Sequence, residues 1–210
     1  MHPASTPKSP PSACTHVDRL LLRNKAWATI TAIEDPTLFP TLATGQSPEI
    51  LWIGCSDSRC PETTLLHLQP GDIFVERNIA NVIHPADEDP NAAAVIEYAV
   101  RQLGVQLIIL CGHRDCGGVE AVLSEDKGLR PVLESWLRPL KRVKEENWEE
   151  LQGLPFEKAA VRLAELNVFK GVEVLREMDV VKEAMGKGEL RVYGLIYDVG
   201  SGRLRELVRS

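Results

Sequence analysis

The chain has 210 residues, of which 44% are hydrophobic and 26% are charged, and its formal net charge is −6 with an isoelectric point near 5.5. This length and balance are typical of one well-buried soluble domain, and the acidic surplus disfavours nucleic acid or an anionic membrane as a partner. No apolar run approaches the roughly 18 residues that cross a membrane, and the first residues lack the apolar stretch of a secretory signal.

The amino-terminal residues 1–13, MHPASTPKSPPSA, include four prolines. This composition predicts a disordered tail over 1–15, followed by a single domain over 16–210. The tail lacks the arginines of a typical mitochondrial presequence, and the odd number of cysteines, five, fits reduced thiols in a cytosolic setting. We therefore expect a cytoplasmic location, with a mitochondrial one as the alternative.

The predicted elements alternate between helices and strands. An amphipathic pattern over 16–32 predicts an N-terminal helical arm that packs on the domain or on a partner. Apolar runs of strand length and helical patterns then follow one another, which predicts an α/β fold with a mostly parallel central β-sheet flanked by helices. The predicted strands are 49–54, 72–76, 106–111, 189–199 and 203–208, and the predicted helices are 91–103, capped by Asn91 and followed by Gly104, 132–144 and 156–185.

Two chemically rich segments directly follow predicted buried strands. Cys55 opens the run Cys-Ser-Asp-Ser-Arg, and His113 opens His-Arg-Asp-Cys-Gly-Gly, which contains Cys116. The carboxyl ends of parallel strands meet at one edge of a sheet, so these residues can come together there. Cys55, His113 and Cys116 form a three-ligand zinc set with one open position, which is the catalytic pattern. The alternatives are two buried cysteines with a core histidine, or a thiolate loop that holds an oxyanion, although Cys55 and Arg59 are closer than in tyrosine phosphatases.

Asp57 and Arg59 would be an ordinary loop ion pair if they stood alone. Beside a zinc site the carboxylate of Asp57 has two uses, because it can coordinate the metal as a fourth ligand or accept a hydrogen bond from metal-bound water. Arg59 can hold it in the second role. Asp57 is then a gate on the fourth position.

The segments that begin at Cys55, at Arg77 (Arg-Asn-Ile-Ala-Asn) and at His113 resemble the β-class carbonic anhydrases in order and spacing. The resemblance is strong over 46–119 and weaker up to 199. It implies a β-carbonic anhydrase-like fold and a zinc lyase that reversibly hydrates CO2 to bicarbonate and a proton by attack of zinc-bound hydroxide. It also implies one Zn²⁺ per subunit on Cys55, His113 and Cys116, with Asp57 and Arg59 as the catalytic dyad.

The same resemblance assigns further residues. Gln46 matches the glutamine that hydrogen-bonds substrate or product, Phe74 and Tyr98 match the aromatic residues of a narrow pocket, and Gly117 matches the backbone near zinc. In the family this pocket straddles a dimer interface, so we expect self-association as a dimer or a dimer of dimers. Trp52, Arg77 and Tyr197 match a regulatory bicarbonate pocket found in one bacterial subgroup of the family. The alternative interpretation is that Trp52 and Tyr197 are core aromatics and that Arg77 pairs with a carboxylate.

Three further residues and two rival functions have alternative interpretations. Cys60 replaces the valine that commonly follows the motif arginine, and we interpret it as a small apolar substitute that oxidation could make inhibitory. His67 and His84 are conceivable proton shuttles, but surface histidines are the simpler interpretation. Rival functions are hydrolysis of carbon disulfide or carbonyl sulfide at the same metal, and a non-enzymatic bicarbonate sensor or zinc-stabilised scaffold, which would not need the Asp57–Arg59 pair.

Overall fold

The computed structural model describes residues 15–124 and 128–209, which form two compact units divided between Gly45 and Gln46. Most of the predicted tail, residues 1–14, lies outside the described residues, and the single domain over 16–210 stays a prediction.

In the first unit, helix α1 (His16–Glu34) starts at a capping box in which Thr15 and Asp18 exchange hydrogen bonds. Helix α2 (Leu38–Leu42) follows, and the rings of Trp27 and Phe39 meet edge to face at 5.6 Å. The predicted N-terminal helix is thus confirmed.

The second unit is built on a five-stranded sheet in the order β2-β1-β3-β4-β5. All neighbouring strands are parallel except β4 and β5, so the predicted mostly parallel sheet is confirmed. The strands are β1 (Ile50–Cys55), β2 (Ile73–Asn78), β3 (Leu107–His113), β4 (Arg191–Asp198) and β5 (Arg203–Val208). The helices of this unit are α3 (Glu62–Leu66), α4 (Pro90–Glu97) continued by a π-helical segment (Tyr98–Leu103), α5 (Gly117–Leu123), α6 (Pro131–Trp136), α7 (Arg138–Glu146), α8 (Trp148–Leu151), α9 (Phe156–Glu177) and α10 (Asp179–Gly186).

Helix boundaries depart from the sequence predictions in three places. Asp89, not Asn91, caps α4, because its side chain accepts the amides of Asn91 and Ala92. The helix predicted over 132–144 is interrupted at Leu137, and the one over 156–185 breaks at Met178, whose ψ of 129° is extended. Gly104 ends the π-helical segment with φ of 67°, as its position predicted.

The core lies mainly between the sheet and α9. Side chains that alternate along β1 and β3, such as Leu51 and Ile108, are fully buried against this helix and its neighbours. Helix α9 packs closely on strand β3, since a Cβ at Gly112 would lie 2.8 Å from Val168 Cγ2. On the other face, Trp52 and Tyr197 are buried while several surrounding apolar residues are only partly covered. Within the described residues, no helix is long and apolar enough to cross a membrane.

Candidate metal centre

Three buried donors lie together at the carboxyl edge of the sheet. Cys55 ends β1 and His113 ends β3, and these strands are paired neighbours. A turn through Asp115, whose φ is 56°, then returns the chain so that Cys116 stands at the start of α5. The ligand atoms of Cys55, His113 and Cys116 all lie within 4.8 Å of one another, and each residue is at least nine-tenths buried. The structure therefore brings together the three residues that the sequence pattern predicted as a metal set.

The donors fit zinc. The two sulfur atoms are 4.0 Å apart, close to the separation of about 3.8 Å expected for two thiolates at about 2.3 Å from a tetrahedral zinc ion. His113 Nδ1 lies 2.8 Å from the carbonyl oxygen of Arg114, and this contact identifies Nδ1 as the protonated nitrogen of the neutral ring. Nε2 is buried without a hydrogen-bond partner, so in the neutral ring its lone pair is available to a metal.

Protons and a metal cation would compete for the same three donors. The hydrogen bond from Cys116 lowers the pKa of Cys55 to about 4, and the same bond raises the pKa of Cys116, against the effect of the amides of Val119 and Gly118. Burial alone would lower the pKa of His113, but the thiols of Cys55 and Cys60 raise it to about 10. The low pKa of Cys55 favours a thiolate, which is the form that binds metal. Metal binding would then release the remaining protons.

Asp57 is held beside this cluster by Arg59. The amide and Nε of Arg59 donate to Asp57 Oδ1 at 2.8 and 2.9 Å, and Nη2 donates to Oδ2 at 2.6 Å. Hydrogen bonding to Arg59 holds the pKa of Asp57 well below its usual range, so the carboxylate is ionised at neutral pH. Arg59 Nη2 also donates to the carbonyl oxygen of Asp115 at 2.8 Å, which ties the dyad to the turn between His113 and Cys116.

The predicted pocket residues are not all near the metal cluster of the same chain. Phe74 and Tyr98 stack with their ring centroids 5.9 Å apart. Phe74 on β2 pairs with Leu51 on the neighbouring strand β1. Leu51 precedes Cys55 by four residues, so Phe74 lies about 13 Å from Cys55 along the strand direction. Gln46 is exposed, and no hydrogen bond joins it to the cluster within the described part of the chain. Gly117 directly follows Cys116 as the first residue of α5.

The predicted regulatory residues are only partly assembled. Trp52 and Tyr197 belong to one packed group and line a cavity of about 10 Å³, the size of a single water molecule. Arg77 is not among the residues that line it. Its guanidinium donates to the carbonyl oxygens of Cys55 and Asp57 at 2.9 and 2.5 Å.

The structure also places the three residues whose roles the sequence left open, Cys60, His84 and His67. Cys60 lines the small cavity together with Cys111 and His113, so a third thiol does lie beside the cluster. His84 is buried, contrary to the interpretation as a surface histidine, because it stacks on Trp136 and its Nε2 lies 3.1 Å from the Trp136 carbonyl oxygen. His67 is exposed at the end of α3.

A buried Cys-His-Cys set at the carboxyl edge of this parallel sheet, beside an aspartate that an arginine holds, defines the β-carbonic anhydrase class. Comparison with known proteins agrees with this assignment. The family model described as carbonic anhydrase matches residues 50–204, and the chain belongs to the β-carbonic anhydrase family.

Several relatives are substantially similar. The chain is 39% identical to a carbonic anhydrase of Emericella nidulans over 92% of this chain and 83% of that protein. It is 43% identical to a carbonic anhydrase of Candida albicans over 81% of this chain, but it spans only 60% of that protein's length. Among solved structures, a tetrameric β-carbonic anhydrase of Sordaria macrospora has a TM-score of 0.89 at 48% identity, covering 92% of this chain and 98% of that one. One from Aspergillus fumigatus has a TM-score of 0.88 at 56% identity, covering 92% and 91%.

Proposed function

We propose that the chain is a carbonate dehydratase that reversibly hydrates CO2 to bicarbonate, with one Zn²⁺ per subunit on Cys55, His113 and Cys116. The observation that carries this proposal is the buried, unpartnered Nε2 of His113 beside two thiols and a clamped carboxylate. A scaffold or sensor would have no use for that carboxylate. Family membership supports the same reaction.

Zinc, when bound, acts as a Lewis acid that lowers the pKa of water, which makes a strong nucleophile available near neutral pH. The chain's own residues orient the reactants. Asp57, kept ionised by Arg59, accepts a hydrogen bond from the attacking water and directs an oxygen lone pair toward CO2. If Asp57 leaves Arg59 it can instead occupy the fourth ligand position, which closes the site.

The pocket walls are proposed to come from two subunits. Phe74 lies about 13 Å along the sheet from Cys55 of its own chain, so the stacked pair with Tyr98 is better placed to line a neighbour's site. Gln46 of the same subunit as that aromatic pair would donate to a substrate oxygen in the neighbour's site, and Gly117 would supply backbone beside the metal of its own chain. Exposed apolar residues of α1, Leu20, Leu21 and Ile33, support self-association as a dimer or dimer of dimers, as does the tetrameric Sordaria relative.

Regulation by bicarbonate at Trp52, Arg77 and Tyr197 is a second proposal. Arg77 holds the carbonyl oxygens of Cys55 and Asp57, so an anion that draws its guanidinium away would loosen the loop that carries Asp57. Arg77 Nε also lies 3.8 Å from Glu62 Oε2, which an incoming anion would have to replace. A bicarbonate response that is unchanged in Tyr197→Phe and Trp52→Phe would count against this role.

Stopped-flow hydration of CO2 with measured zinc content tests the main proposal. We expect activity that rises in proportion to bound zinc. Parallel assays with carbon disulfide and carbonyl sulfide separate the rival hydrolase, since turnover of those substrates without CO2 hydration would overturn the proposal. The cytoplasmic location stays a prediction, and imaging of the full chain carrying a carboxyl-terminal tag tests it.

A further inference from the structure

A strained turn follows β2 and lies against the metal centre. In this turn, residues 79–82, Ala80 has φ of 61° and Asn81 has φ of 46°. Both angles are left-handed. Asparagine tolerates this region but alanine does not, so the conformation of Ala80 is unfavourable unless neighbouring groups impose it. We call this segment the Ala80 turn.

Two side chains hold the ends of the Ala80 turn. Asn78 donates from Nδ2 to the carbonyl oxygen of Val82 at 3.1 Å and accepts the amide of Val82 at Oδ1 at 2.9 Å. Trp136 Nε1 donates to the carbonyl oxygen of Ile79 at 2.9 Å. None of these three hydrogen bonds reaches the strained residue Ala80 itself.

Asn167 supplies the bond at the centre of the turn. Its Nδ2 donates to the carbonyl oxygen of Ala80 at 2.9 Å, across 87 positions of sequence. Asn167 is 5% exposed and lies on the buried, otherwise apolar face of α9. A buried polar side chain is costly without a partner, so this bond both satisfies Asn167 and fixes the direction of the Ala80 carbonyl.

A short path of contacts connects this bond to a predicted metal ligand. The Cβ of Ala80 packs against Gly118 so closely that a Cβ on Gly118 would lie 3.0 Å from it. Gly118 lies in the first turn of α5, and Cys116 is the residue that caps the start of this helix. A shift of the Ala80 turn would therefore move the first turn of α5 and, with it, the backbone that orients the sulfur of Cys116.

We propose that Asn167 is a positioning residue for Cys116, acting through the Ala80 turn and Gly118. The inference rests on the proposed function only in taking Cys116 as a metal ligand. Asn167 itself contacts neither metal nor substrate. It holds the strained turn in the conformation in which Ala80 packs against Gly118.

Cobalt substitution tests this role without relying on catalysis, because the visible bands of Co²⁺ bound to thiolates report ligand geometry. The variant Asn167→Leu keeps the side-chain size and removes the donor. We expect shifted cobalt bands, zinc affinity lower by about tenfold in chelator competition, and kcat/KM lower by about tenfold or more. Ala80→Gly alone keeps the left-handed φ but removes the Cβ that contacts Gly118, so it should shift the cobalt bands as well.

Asn147→Leu is the matched control, because Asn147 Nδ2 also donates to a backbone carbonyl, that of Val143, at 2.8 Å, but outside the turn. It should leave the cobalt bands and zinc affinity unchanged. If Asn167→Leu lowers thermal stability while its cobalt spectrum and zinc affinity stay at wild-type values, Asn167 is only structural and the proposal is overturned. An unshifted cobalt spectrum in Ala80→Gly overturns it as well.

Gly118→Ala provides a second test should Asn167→Leu not fold. The added Cβ pushes on Ala80 while Asn167 stays intact, so the cobalt bands should shift and Ala80→Gly should reverse the shift. An unshifted spectrum contradicts the path through Gly118. If the wild-type chain binds cobalt and zinc but does not hydrate CO2, the proposed function fails while these spectra still decide the role of Asn167.

Discussion

Asp57 Oδ2 and His113 Nε2 lie 3.9 Å apart, and both oxygens of Asp57 are bonded to Arg59. The carboxylate is thus next to the metal cluster and is held by Arg59. We propose that this arrangement is the open state of the gate that the sequence suggested. Because three hydrogen bonds from Arg59 hold Asp57, closing the gate requires their loss.

Asp57→Ala should retain zinc and lose most of its hydration activity. A positioned proton acceptor typically contributes a factor of about 100 or more, and we expect kcat to fall by at least that much. Stopped-flow hydration and metal analysis on the same sample make the test. Asp198→Asn is a matched control, since Asp198 is also paired with an arginine, Arg114 at 3.2 Å, and should remain active. Full activity in Asp57→Ala would remove the role proposed for this residue.

Metal binding should depend on Cys55 and not on Cys111, although both are buried thiols on adjacent strands. Cys55→Ser should lose most zinc and activity. Cys111→Ala should keep both, because the Cys111 thiol donates to the Gly112 carbonyl and burial raises its pKa, which disfavours a thiolate. Chelation of the wild-type chain should abolish hydration, and added zinc should restore it. Equal zinc loss in the two variants would contradict the assigned ligand set.

The sequence was most informative where local chemistry and topology coincide. Continuous apolar runs predicted the strands that end at Cys55 and near His113, and their parallel pairing explains why the ligands meet. The Ala80 turn could not be predicted in this way. Asparagine tolerates left-handed φ, but alanine carries no signal for it, and the bond from Asn167 forms only when α9 packs on the sheet. The distance from Phe74 to Cys55 likewise needed the strand register.

Mixed dimers can show whether the pocket is shared. Cys55→Ser and Gln46→Ala subunits, co-expressed with different tags and purified through both, should recover about half of the wild-type activity per dimer. One of the two sites then combines an intact metal set with an intact Gln46 from the other subunit. Each variant alone should be inactive or strongly impaired. Mixed dimers no more active than the average of the parents would show that Gln46 acts within its own chain.

Cys60→Val should leave zinc content and activity near wild type. Cys60 is buried among apolar residues that include Trp52, and valine is similar in volume, so the free energy of unfolding should change by less than about 1.5 kcal/mol. Urea unfolding and metal analysis measure both quantities. If wild type loses activity in hydrogen peroxide faster than Cys60→Val does, oxidation of this thiol is inhibitory. Zinc loss in the unoxidised variant would instead identify Cys60 as a ligand.

Glu76 makes the fold sensitive to pH. Burial, and then the charge of Asp89, raise the pKa of this buried carboxyl. Folding therefore favours its protonated form, and that stabilisation is complete below the unfolded pKa of about 4.3 and disappears as pH rises through the raised folded pKa.

Glu76→Gln should accordingly raise Tm at pH 7, and its advantage should vanish at pH 4 and below. Thermal unfolding at both pH values measures this, with Glu173→Gln as the control because Glu173 is exposed and bonded to Lys170. A lower Tm for Glu76→Gln at pH 7 would mean that the ionised carboxylate is stabilised in the assembled protein. No cation is paired with Glu76 among the described residues, so the stabilising group would then come from a neighbouring subunit or from outside the described part of the chain.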